Sequence, residues 1–110
     1  MLILILEDDT ALCSGIELAL AVPGRQFLSC HNIAAAKIAL QINTPDLYIL
    51  DINLPDAGPS GASSGLDFCK ELRAAGFTAP VLMLTAISRS RLLSAVHPDG
   101  FHLFSYYAVF

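Results

Sequence analysis

Lysine and arginine are scarce in this chain, six in all against ten aspartates and glutamates, and charged side chains make up only 15% of its 110 residues. The six basic residues are scattered and the formal net charge is −4. A surface built for nucleic acid needs clustered Lys and Arg to meet phosphates, so direct nucleic-acid binding is excluded. Long apolar runs are missing too. No uncharged apolar stretch reaches the roughly 18 residues needed to span a bilayer. The opening run Leu2 to Leu6 is too short for the core of a secretion signal, has no basic flank, and meets Glu7, Asp8 and Asp9 at once. A cytoplasmic protein without a membrane segment is expected. Cysteine is limited to Cys13, Cys30 and Cys69, an odd number without metal-ligand spacing or a catalytic histidine pattern nearby. Buried free thiols are the reading that suits them.

Hydrophobic residues, by contrast, amount to 55%. A chain of this length has room for one core, so residues 1–110 are expected to form a single domain whose output function comes from a partner. Some of the apolar excess should lie on the surface. Short apolar runs alternate with longer amphipathic ones, which is the mark of βαβ units around a parallel sheet. Leu2 to Leu6 is continuous, as in a central strand covered on both faces. Thr10 is placed to cap a helix with the stripe Leu12, Ile16, Leu18, Ala19 and Leu20, stopped by Pro23-Gly24. Phe27 to Cys30 reads as a strand, and Asn32 caps a helix running to about Ile42. Leu47 to Leu50 is the third strand. The glycine- and serine-rich run Ala57 to Ser64 reads as a loop, and a helix should follow from about Leu66 to Ala75, stopped by Gly76. Pro80 to Leu84 is a fourth strand, Arg89 to Val96 a short helix, and Phe101 to Phe110 a fifth strand.

In an open parallel sheet, ligands gather at the carboxyl ends of strands. Glu7-Asp8-Asp9 follows the first strand and Asp51 the third, so neighbouring placement would bring three or four carboxylates to one edge. Like charges at that range require a cation, or one pKa must rise. A hard divalent ion with oxygen ligands answers this, and Mg2+ uses one or two carboxylates together with a phosphoryl oxygen. A carboxylate can also attack phosphorus, and Asp51 is the best-placed nucleophile. The plainer reading, that acidic residues after strands cap helices, suits Asp9 best.

Leu2-Ile3-Leu4-Ile5-Leu6-Glu7-Asp8-Asp9, then Leu50-Asp51-Ile52-Asn53-Leu54-Pro55-Asp56, then Val81-Leu82-Met83-Leu84-Thr85-Ala86 resemble the three signature segments of response-regulator receivers, in order, over residues 2 to 86. The resemblance implies an α/β fold: a three-layer, flavodoxin-like, doubly wound parallel five-stranded sheet in the order 2-1-3-4-5, here with the final helix missing. It implies that Asp51 is the phospho-acceptor and that Asp8 and Asp51 bind Mg2+ directly. Asn53 would add its backbone carbonyl, and Glu7 would act through water or weakly. Thr85 would be the hydroxyl that moves toward the phosphoryl group, and Phe104 stands where the family carries an aromatic switch, although an ordinary core Phe fits that position equally. A sensor histidine kinase, a phosphotransfer protein or a small phosphodonor would supply the phosphoryl group, and a separate output protein would receive the signal. Such a chain is a signalling domain rather than an enzyme.

Three features depart from the family pattern. Receivers carry a Lys-Pro at the end of the fifth strand; an ungapped count from Thr85 puts Tyr107 there, and the last lysine is Lys70. A phenol donates a hydrogen bond but supplies no positive charge at pH 7, and Arg89 is the nearest substitute. The loop between Pro55 and Gly65-Leu66 is several residues longer than usual. The chain ends before the last helix, as in a truncated or altered gene product, which would expose a sheet face and favour homo-oligomers. These departures support an alternative, a degenerate receiver acting as a phosphorylation-independent interaction module. A Mg2+-dependent phosphohydrolase with an aspartyl nucleophile is disfavoured, because Asn53 stands where such an enzyme needs a carboxylic acid.

Overall fold

Leu2–Leu6 lies at the heart of the molecule because its side chains alternate between two faces that are both covered. In the computed structural model, residues 1–52, 54, 64–86, 95–97 and 101–106 are described; 64, 85, 86, 95–97 and 101–106 are described as backbone. The elements are β1 (Leu2–Leu6), α1 (Thr10–Leu20), β2 (Gln26–Cys30), α2 (Ile33–Ala39), β3 (Leu47–Asp51), α3 (Ser64–Ala74), β4 (Val81–Ala86), β5 (Ala95–His97) and β6 (Phe101–Tyr106). They form one sheet in the order β2-β1-β3-β4-β6-β5. Every pairing from β2 to β6 is parallel, and β5 alone runs antiparallel, against β6.

On one face Leu4, Leu6, Tyr48, Leu50, Val81 and Met83 meet Ala36 of α2 and Phe68, Cys69 and Leu72 of α3. On the other, Ile3, Ile5 and Ile49 meet Cys13, Ile16 and Leu20 of α1. This is the expected doubly wound, three-layer arrangement. Period-two alternation sends neighbouring strand residues to opposite layers, and each large aliphatic buried this way stabilises the fold by roughly 1.5–3 kcal/mol. The three cysteines are buried and form no disulfide, as expected. Part of the apolar excess is indeed at the surface: Leu18 is 82% and Ile42 87% exposed. Among the described residues no helix is long and apolar enough to cross a membrane.

Local chemistry sets the element ends. Asp9, not Thr10, caps α1: its carboxylate accepts from the Leu12 N–H at 3.0 Å, leaving Thr10 as the first helical residue. Asn32 caps α2 as expected, accepting from the Ala35 N–H at 2.7 Å. That helix stops at Ala39 rather than Ile42, where the Asn43 side chain donates to the Ala39 carbonyl at 2.9 Å. α3 begins at Ser64, slightly before the expected Leu66, and ends at Ala74, two residues before Gly76, whose φ of 91° is the left-handed stop. Arg73 then donates to the carbonyls of Phe77 at 2.9 Å and Ala79 at 2.8 Å, tying the helix exit to the start of β4.

The fold departs from expectation at one element. The helix expected over Arg89 to Val96 is contradicted where it is described: Ala95–His97 is a strand, Val96 pairing with His102 and His97 with Phe101. Arg89 and the rest of that segment lie outside the described residues. The expected tail strand is present as β6, in fifth place beside β4.

Candidate metal centre

Parallel pairing of β1 with β3 sets Leu6 opposite Leu50, so the residues that follow each strand leave the sheet at the same edge. Glu7, Asp8 and Asp51 meet there, with one carboxylate oxygen of each within 4.8 Å of the others. Glu7 is 2% and Asp51 6% exposed, whereas Asp8 opens to solvent. The backbone of Glu7 is latched to the end of β2: its N–H donates to the Cys30 carbonyl at 3.0 Å, and its carbonyl lies 3.0 Å from His31 Nδ1. Glu7 Oε1 accepts from the Asp9 N–H at 3.1 Å. Its Oε2 is buried without a hydrogen-bond partner among the described residues.

Burial pushes the Glu7 carboxyl up from 4.5 to about 8. The Asp9 amide opposes that rise, and the negative charges of Asp51 and Asp8 reinforce it. An oxygen-only donor set with an unpaired buried carboxylate oxygen is chemistry that fits a hard divalent cation such as Mg2+, which would hold the three carboxylates ionised together. The donor set does not suit zinc, whose sites draw on nitrogen and sulfur.

The architecture has a clear counterpart. Residues 3–103 match the family model described as the response regulator receiver domain. The chain belongs to that family. Among its relatives, this receiver is 38% identical over 89 residues to the transcriptional regulatory protein BasR of Escherichia coli, covering 78% of this chain and 36% of BasR. It is 41% identical over 86 residues to the response regulator PmrA of Pseudomonas aeruginosa, with the same coverage of 78% and 36%. It therefore spans about a third of the length of those relatives. The response regulator TrrA of Thermotoga maritima, solved in complex with Mg2+-BeF, is 28% identical with a TM-score of 0.66, over 79% of this chain and 70% of that one. The N-terminal domain of a response regulator/sensory box/GGDEF protein from Carboxydothermus hydrogenoformans shares the fold at a TM-score of 0.71 and 22% identity, over 96% of this chain and 80% of that one.

Of the residues singled out in the receiver's sequence, Glu7, Asp8 and Asp51 converge, and Asp9 turns aside to cap α1. The backbone of Thr85 stands near the end of β4, one step beyond Leu84, which pairs with Asp51. Phe104 pairs with Leu84 from β6. The side chains of Thr85 and Phe104, and the whole of Asn53 and Tyr107, lie outside the described residues. One neighbour of the site, His31, was not singled out as a site residue, and it carries no pattern that would mark it.

Proposed function

We propose that this receiver takes a phosphoryl group on Asp51 with Mg2+ held by Glu7, Asp8 and Asp51, assisted by the Asn53 carbonyl. The observation that carries this reading is the convergence of the three carboxylates around a buried, unpaired oxygen of Glu7. When bound, Mg2+ supplies positive charge against the transferring oxygens. Asp51 sits at the end of a buried strand, with its backbone fixed by pairing to Leu84, so its carboxylate is carried to the edge where Glu7 and Asp8 lie. A carboxylate oxygen of Asp51 forms the new bond to phosphorus, and the donor departs with the electron pair of the bond that breaks. Thr85 then moves toward the phosphoryl oxygens and Phe104 reports the change to a partner surface. The donor is a sensor histidine kinase, a phosphotransfer protein or a small phosphodonor. Residues 1–110 act as one cytoplasmic receiver domain, self-associating and passing the signal to an output module rather than working as an enzyme.

A second reading is favoured by one observation: no lysine follows Lys70, so the ammonium that usually pairs with the phosphoryl group is missing from the sequence. In that reading the fold serves as an interaction module without a phosphorylation switch. Incubation with acetyl phosphate and MgCl2, followed by intact mass measurement, separates the two. Gain of one phosphoryl group, abolished by chelator and by Asp51→Asn, is expected. An unchanged wild-type mass defeats the first reading, and a gain that persists in Asp51→Asn excludes Asp51 as sole acceptor.

A further inference from the structure

The backbone that leaves β3 is held from two sides. On one, the Ile52 N–H donates to the Leu84 carbonyl of β4 at 3.0 Å. On the other, the Gly65 N–H, in the first turn of α3, donates to the Ile52 carbonyl at 3.1 Å. Gly65 is buried and lies so close to this peptide that a Cβ there would fall on the Asp51 carbonyl oxygen, 2.8 Å from the Asp51 carbonyl carbon and 2.9 Å from Ile52 Cα. All three atoms are main chain, so no side chain can turn away to make room.

We infer that Gly65 is a positioning residue: its missing side chain lets α3 close against the Asp51–Ile52 peptide and thereby sets where the Asp51 carboxylate stands relative to Glu7 and Asp8. The inference rests on the reading of Asp51 as acceptor. A methyl group at 65 would force the two backbones apart by roughly 1.5 Å to clear the Asp51 carbonyl oxygen and restore an ordinary contact of about 3.5 Å. β3 cannot yield freely, because Asp51 pairs with Leu84 and Leu50 with both Leu6 and Met83. α3 cannot yield freely either, because Phe68, Cys69 and Leu72 anchor it in the core. The displacement therefore falls on the Asp51 peptide, which carries the acceptor. Gly15, Gly24 and Gly76 have nothing within 4 Å of the corresponding position, so this crowding is particular to Gly65 among the described glycines.

The test compares Gly65→Ala with Gly76→Ala, which strains the left-handed turn at the other end of the same helix without approaching Asp51. Both variants and wild type are assayed well below their melting temperatures. The readouts are Mg2+ affinity by calorimetry, the rate of mass gain from acetyl phosphate, and the amide resonances of Asp51 and Ile52. Gly65→Ala should weaken Mg2+ binding, slow phosphorylation by about tenfold or more, and displace the two resonances. Gly76→Ala should lower melting temperature while keeping the wild-type rate and affinity. A rate within twofold of wild type in Gly65→Ala, or an equal loss in Gly76→Ala, overturns the inference. Should Gly65→Ala not fold, the wild-type protein still decides. Adding Mg2+ should move the Gly65 amide resonance together with those of Asp51 and Ile52, and an unmoved Gly65 overturns the inference. If wild type neither binds Mg2+ nor gains mass, the reading of Asp51 has failed and takes this inference with it.

Discussion

Replacing Glu7 by glutamine removes a buried carboxyl that shares its site with Asp8 and Asp51, and the effect on stability can be worked through with its sign. In the unfolded chain Glu7 releases its proton near 4.5; in the folded, metal-free protein it holds it until about 8. Between those values folding takes up a proton, so stability is complete below 4.5 and is lost as pH rises through about 8. The slope is at most about 1.4 kcal/mol per pH unit, so the loss from pH 5 to 8 is on the order of 3–4 kcal/mol. That is a large share of the roughly 5–15 kcal/mol by which a typical domain is stable. Glutamine has the shape of the protonated acid and no charge to release. Urea unfolding in chelator at pH 5, 6, 7 and 8 should show wild type weakening across the window while Glu7→Gln stays level. The two should be nearly equal at pH 5, and the variant more stable at pH 8. Mg2+ should restore the wild type at pH 8, by about 2.7 kcal/mol at a concentration one hundred times its Kd, because binding the folded state alone stabilises it. Parallel pH profiles for the two proteins would refute the reasoning.

Asp8→Ala should weaken Mg2+ binding in calorimetric titration, while Asp9→Ala should keep affinity and lose about 1 kcal/mol of stability with the α1 cap; equal losses of affinity would count against this division. Tyr48→Phe should be neutral or stabilising by about 1 kcal/mol in urea unfolding, since its buried hydroxyl has no hydrogen-bond partner among the described residues. A loss larger than that would reveal a partner for the hydroxyl. The unphosphorylated protein should be dimeric or larger by light scattering at micromolar concentration, given exposed Leu18, Ile38 and Ile42 and the sheet edge at β5. A clean monomer mass would defeat that expectation.

The central strands were legible because their apolar runs leave little alternative: Leu2 to Leu6 and Leu47 to Leu50 suit a strand buried on both faces, and the following carboxylates are then carried to one edge. Other features depend on contacts the sequence does not display. Both Asp9 and Thr10 are capping residues, and only the bond to the Leu12 N–H decides between them. Ala95–His97 has no strong periodicity, so its partner β6, rather than its own propensity, determines its conformation. Glu7 is the most buried carboxylate of the cluster, its backbone N–H on the Cys30 carbonyl and its Oε1 on the Asp9 amide, and the bond to Cys30 joins residues far apart in sequence. The approach of Gly65 to Asp51 joins residues separated by the long glycine- and serine-rich run, beyond the reach of any local pattern.

The central place of β1 also bears on how the protein is made. Synthesised first, it needs β2 on one side and β3 on the other, and the second of these partners ends only at Asp51. At roughly 5–20 residues per second, the run Leu2 to Leu6 waits some seconds after leaving the ribosome before both of its edges can be occupied. A five-residue aliphatic stretch with open edges is then at its most liable to pair with another nascent chain. The acidic group Glu7-Asp8-Asp9 directly behind it acts during that interval as a charged gatekeeper, repelling a second copy in parallel register. Neutralising those residues to improve the metal-free fold would therefore be expected to lower soluble yield, even where the finished protein gains stability.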